Sequence, residues 1–99
     1  MSTVVSSITL PSTIIHGQKT VTTAGTEVAL TTSKSLKRGV TIKALVANSG
    51  LIFVGLNPVT SSTGFQLAAG ESIFIEIYNS SLIYIDAAVN GEGVSYIGS

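Results

Sequence analysis

The stretch "GFQLAAGESIFIEI", residues 64–77, ends in a strict alternation: Ile73, Ile75 and Ile77 interleaved with Phe74, Glu76 and then Tyr78. A period of two puts successive side chains on opposite faces, so this segment folds as a half-buried β-strand and not as an amphipathic helix. The pattern recurs. Residues 82–87 set Ile83, Ile85 and Ala87 against Leu82, Tyr84 and Asp86. Residues 40–47 set Val40, Ile42, Ala44 and Val46 against Thr41, Lys43, Leu45 and Ala47. Further strands are expected at 12–16, 18–23, 26–31, 51–55, 65–68 and 93–97, and no segment keeps apolar residues at helical spacing over three turns.

The punctuation between these segments agrees. Asn-Ser-Gly at 48–50 and Asn-Gly at 90–91 suit turns that need positive φ, and Pro58 in "LNPVTSSTG" marks a longer loop. Eight or nine short strands separated by turns predict an all-β protein, an antiparallel β-sandwich of jelly-roll-like form. The isoleucines of 72–78 and 82–87 are expected to form the central hairpin of its core. Gly70-Glu71 is expected to be the bend of another hairpin, joining 65–68 to the isoleucine strand. With 99 residues, no repeat and no linker, the chain reads as one sandwich domain over 12–99. Residues 1–11, "MSTVVSSITLP", are uncharged and β-prone. They read either as a first strand or as an extended N-terminal arm that adds to a neighbouring subunit's sheet.

Charge narrows the function classes. Only 10% of the residues are charged and the net charge is zero, while Ser and Thr make up about a quarter of the chain. A neutral chain lacks the attraction that drives nucleic-acid binding, and it lacks the net charge that keeps many free monomers dispersed. The balance favours life in an assembly. No cysteine is present, which excludes disulfides and thiolate metal sites. The N-terminal segment has no basic run and no apolar stretch long enough to span a bilayer, so neither targeting nor membrane insertion is expected. The sequon Asn79-Ser80-Ser81 carries little weight without such targeting.

Catalytic groups are sparse. His16 is the only histidine and reads as an ordinary strand-end residue. Carboxylate pairs are conceivable between Asp86 and Glu76 on adjacent strands, or between Asp86 and Glu92, but acids on an outward strand face are ordinarily just solvated. Gly70 and "GEG" at 91–93 are turns, because a phosphate cradle leads into a helix and none follows. No catalytic, cofactor or metal site is expected. Lys34, Lys37 and Arg38 form the only basic cluster, a solvated loop or a contact to an acidic protein surface. Phe74, Tyr78 and Tyr84 share the face opposite the isoleucines. Side by side they would make a small aromatic platform of the kind that binds sugars.

Taken in order, "VTIKAL", "LIFVGLNPVTSSTGFQLAAGESIFIEI" and "LIYIDAAVNGEGVSYIG" resemble small β-rich virion proteins of tailed bacteriophages, over somewhat more than half the chain. In those proteins a "VG…VTSS.GF.L..GES" segment runs into a strand, followed by "IY.DA" and a terminal "VSYI". The resemblance implies a capsid decoration or cement protein, made in the host cytoplasm and bound to the exterior of the icosahedral head. Its partners would be the major capsid protein and itself, as a homotrimer first and a dimer second. Val4, Val5, Ile8 and Leu10 of the arm and Lys34, Lys37 and Arg38 are the expected capsid or subunit contacts. The alternative is a receptor- or glycan-binding module of a head fibre or tail, acting through Phe74, Tyr78 and Tyr84.

Overall fold

The structure is a computed structural model and is described here for residues 10–99. It contains eight strands: β1 (Ile15–Thr20), β2 (Val28–Ala29), β3 (Val40–Ala44), β4 (Ile52–Gly55), β5 (Phe65–Leu67), β6 (Ser72–Ile75), β7 (Tyr84–Ala87) and β8 (Gly93–Gly98). The one helical element among the described residues is a three-residue 3₁₀ turn, Ser80–Leu82, whose Ser81 N–H donates to the Asn79 side chain and whose Ser80 N–H donates to the Lys34 carbonyl. All strand pairs are antiparallel. They form two four-stranded sheets, sheet A in the order β1-β8-β3-β6 and sheet B in the order β2-β7-β4-β5. The all-β architecture is that of two antiparallel sheets sharing one core.

The core follows from the alternation. Val40, Ile42 and Ala44 on β3 and Val94 on β8 are fully buried, and they meet Ile52, Val54, Leu67, Ile85 and Ala87 from the opposing sheet. Each valine, leucine or isoleucine among them stabilises the fold by about 1.5–3 kcal/mol relative to exposure. Val46 does not join them. A turn in which the Asn48 N–H donates to the Leu45 carbonyl ends β3 at Ala44 and leaves Val46 75% exposed, against the expectation from its spacing. The two strands expected at 12–16 and 18–23 are one strand, β1.

The expected central hairpin is not formed. β6 lies at the edge of sheet A beside β3, whereas β7 lies inside sheet B between β2 and β4. Ile73 and Ile75 therefore face Ile83 and Ile85 across the core, with the 3₁₀ turn carrying the chain between sheets. The bend at Gly70-Glu71 is likewise a corner and not a hairpin, since β5 belongs to sheet B and β6 to sheet A. The Glu71 N–H donates to the Ala68 carbonyl at 2.9 Å, and Gly70 takes φ +82° at the third position of that turn, a value that favours glycine. The corner is pinned to β3 by Gly70 N–H to Ala44 O and Ala44 N–H to Glu71 O, both 2.9 Å. The Glu71 carboxylate accepts from the Ala68 N–H at 2.7 Å.

The long loop at 56–64 is present and joins β4 to β5, the one pair adjacent in both sequence and sheet. It folds back over the outer face of sheet B. Phe53 points outward from β4 yet is only 4% exposed, because Val59 and Gly64 cover it. A Cβ at Gly64 would come within 2.5 Å of the Phe53 Cβ, so this position has room for hydrogen only.

These contacts predict that Ile85→Ala, which empties a fully buried position, lowers unfolding free energy by about 2–5 kcal/mol. Val46→Ala, at an exposed turn, should stay within about 0.5 kcal/mol of the parent. Urea-induced unfolding monitored by circular dichroism measures both.

Candidate docking surface

The outer faces of the two sheets differ. On sheet B, Asp86 points outward like Phe53 but is 2% exposed. Its Oδ1 accepts from the Gly25 N–H at 3.0 Å and from the Ala87 N–H at 2.8 Å, which holds residues 22–27 against the strand. Asn90 Oδ1 takes the Ala24 N–H at 2.7 Å, and Glu27 Oε1 takes the Val59 N–H at 3.0 Å, tying this loop to the one at 56–64. Asp86 is thus a buried loop anchor and not the solvated acid expected from the alternation. It also cannot pair with Glu76, which follows β6 of the other sheet. Sheet B wears its own loops.

Sheet A is bare. Strand register aligns His16, Ile97, Thr41 and Phe74 in one outward row and Gln18, Ser95, Lys43 and Ser72 in the next. Ile14, Ile97 and Phe74 are each more than half exposed. A shallow groove of about 630 Å³ crosses this face, lined by Ile14, His16, Gln18, Thr41, Lys43 and Ile97, with no acid among its lining residues. His16 stands alone there as an outward residue of the edge strand, with no other titratable group in its row. The groove offers hydroxyl, amide and one ammonium group around apolar side chains. That is the chemistry of a docking face.

One end of the sandwich adds to it. The Ser99 carbonyl oxygen accepts N–H bonds from Lys37, Arg38 and Gly39 at 3.1, 2.8 and 3.2 Å, which fixes the basic loop beside the end of β8. Lys34 is held through its N–H to Asn79 Oδ1 at 3.1 Å. A small cleft of about 90 Å³ joins Pro11, Ser12 and Thr13 to Ser35, Leu36 and Lys37. The root of the N-terminal segment, with Leu10 exposed, and the exposed side chains of Lys34, Lys37 and Arg38 therefore share one end. Val4, Val5 and Ile8 lie outside the described residues.

The aromatic platform does not assemble. Phe74 projects from the outer face of sheet A and Tyr84 from the outer face of sheet B, while Tyr78 sits in the crossover between them. The alternation that grouped them is real, but the sheets that carry them are back to back.

Glu92, at the opposite end, is a clamp. Its Oε2 accepts from the Ser49 N–H at 2.6 Å and the Ser49 hydroxyl at 2.9 Å, and Oε1 accepts from the Gly50 N–H at 2.9 Å. Asn48 adds a reciprocal pair with the Gly93 backbone at 2.8 and 3.3 Å. The Ser49 and Gly50 N–H bonds hold the Glu92 carboxyl below its ordinary pKa. Among the described residues no group of three or more His, Asp or Glu side chains is placed to hold a metal, and no helix is long and apolar enough to cross a membrane. Compared with known proteins, the chain matches no protein-family model, no curated protein and no solved structure.

A carboxyl whose folded pKa is depressed stabilises the fold above its unfolded value, and that contribution is lost as pH falls through the folded value. Thermal unfolding of the parent should therefore show a stability loss beginning below about pH 4.3, the ordinary glutamate value. Glu92→Gln should be less stable at neutral pH and should lose less on acidification. Equal acid limbs for the two proteins would remove Glu92 from this role.

Proposed function

We propose that this chain is a capsid decoration protein that attaches to the exterior of an icosahedral bacteriophage head and bridges its subunits. The observation that carries this is the asymmetry between the two sheets. One outer face is closed by the protein's own loops, and the other presents exposed Phe74 together with a groove that Ile14 and Ile97 line and no acid does. Exposed apolar clusters of this kind on a nearly uncharged protein mark a surface that is covered in its working state. The resemblance of residues 40–97 to virion proteins of tailed phages implies the covering partner, the major capsid protein.

The strand pairing supports the finer fold reading. The antiparallel partners β1–β8, β2–β7, β3–β6 and β4–β5 are the pairing that a jelly roll would have, one long hairpin folded at the 56–64 loop and wound into two sheets.

Area sets the mechanism. Four strands about 4.8 Å apart and four to six residues long make a face of roughly 300 Å². A stable standard interface takes about 800 Å² from each partner. One copy alone therefore binds weakly, and attachment gains strength by linking several faces in a homo-oligomer, a trimer first and a dimer second. The additive contacts of many copies around a closed shell would then resist expansion. A glycan-binding module would need another platform than Phe74, Tyr78 and Tyr84.

Quantitative mass spectrometry of purified particles should find this chain at a copy number comparable to the major capsid protein. Its absence from particles would end the proposal. Ile14→Lys with Ile97→Lys should lower occupancy more than about tenfold while leaving thermal unfolding unchanged, because two apolar contacts are replaced by charges.

A further inference from the structure

The two edges of sheet A are built differently. β1, at one edge, points Lys19 toward the inner side of the sheet, where it is half-buried. An inward charge is a recognised guard against strand addition. β6, at the other edge, has no such guard: residues 72–78 contain no proline and no lysine, and Glu76 is their only charge. Residues 72–78 alternate exposed and half-buried, so Ile73, Ile75 and Ile77 face inward yet remain partly open, where Val40, Ile42 and Ala44 of β3 and Val94 of β8 reach full burial. β5, the edge of sheet B reached through the 68–71 corner, opens on the same side. There Phe65 is exposed, and a groove of about 470 Å³ lies between the two edges. The core is incomplete along this side.

Among the described residues the edge also has backbone groups without partners. The Ala44 N–H bonds the Glu71 carbonyl, and an antiparallel ladder alternates from there. Ile73 and Ile75 thus occupy the bonded pairs with Ile42 and Val40. The N–H and C=O of Ser72 and Phe74 point away from β3 toward the open side.

We propose that residues 2–9 of a second copy of this chain add to the open edge of β6 as a further strand of sheet A. The segment "STVVSSIT" has no charge, no proline and no glycine. At a period of two, Val4, Ile8 and Leu10 share one side with Ser2 and Ser6, and Thr3, Ser7 and Thr9 share the other with Val5. One side can cover Ile73, Ile75 and Ile77 while the other extends the hydroxyl-rich outer face. Eight extended residues reach about 26 Å, enough for the roughly 23 Å of 72–78. The chain enters at β1, three strand spacings or about 14 Å from its own β6. Pairing within one copy would use half the segment in crossing the face, whereas a neighbour's β6 accepts it whole. Reciprocal exchange makes a closed dimer, and sequential exchange makes a ring. This inference needs only a second copy of the chain and does not depend on the capsid.

The absence of cysteine makes the test direct. Val5→Cys chains are mixed with Ser72→Cys, Phe74→Cys or Glu76→Cys chains and oxidised gently, with Leu56→Cys on the 56–64 loop as the control. The expected result is a mixed disulfide dimer at one or more β6 positions, at least about tenfold faster than at the control. Deleting residues 2–9, or introducing Phe74→Pro where the N–H is free, should reduce the light-scattering mass to that of a monomer with thermal unfolding retained. Equal masses for the parent and both variants would overturn the proposal. So would cross-linking no faster than the control, or a Val5→Cys/Ser72→Cys chain that closes on itself as a monomer. If Phe74→Pro unfolds, the cross-linking decides.

Discussion

Six of the seven connections between strands carry the chain from one sheet to the other, and the rest of the structure depends on that constraint. Only β4 and β5 meet as sequence neighbours. Every other pairing joins residues far apart in the chain, so no sheet can form before distant segments have met. The corners are where this is enforced. Ala44 bonded to both Gly70 and Glu71, Val21 bonded to Glu92 and Gly91, and Ser99 bonded to Lys37, Arg38 and Gly39 each lock a crossover to a strand of the opposite half.

The strands themselves were legible because side-chain period is a local property. Ile73 and Ile75, Ile83 and Ile85, and Val40, Ile42 and Ala44 all point inward as their alternation requires. Pairing is not local, and that is where inference from neighbours failed. Gly70-Glu71 has the composition of a hairpin bend, and a corner between sheets needs the same positive φ and the same turn hydrogen bond. The residues are identical in the two cases. What differs is the partner across the bend, here Ala44, some 26 positions earlier. The same ambiguity put Phe74 and Tyr84 on one imagined face when they stand on opposite sides of the molecule.

The docking surface was less visible still. Nothing in "LNPVTSSTG" says that the loop lies on Phe53, and nothing in "YIDA" says that Asp86 is capped by Gly25. Those contacts close sheet B and by contrast leave sheet A bare, so the candidate site is defined by where loops are not. Ile97 and Thr41 had no signature of function in the chain. The basic cluster did, and its neighbourhood with Leu10 follows from β1 and β8 being partners: the start of one strand and the end of the other must share an end.

Low charge ties these features together. With ten charged residues in the whole chain, several already serve as internal fasteners: Glu27, Glu71, Asp86 and Glu92 each accept backbone N–H groups. Glu76 is then the only acid without such a role. The cations are left to guard the surface, and they sit unevenly. Lys19 protects the β1 edge, Lys43 marks the groove, and Lys34, Lys37 and Arg38 cluster at one end. None remains for β6. A sequence that binds its acids to its own loops and leaves one β-edge without a cation has a surface suited to being covered, because an unguarded edge in a free monomer invites non-specific pairing.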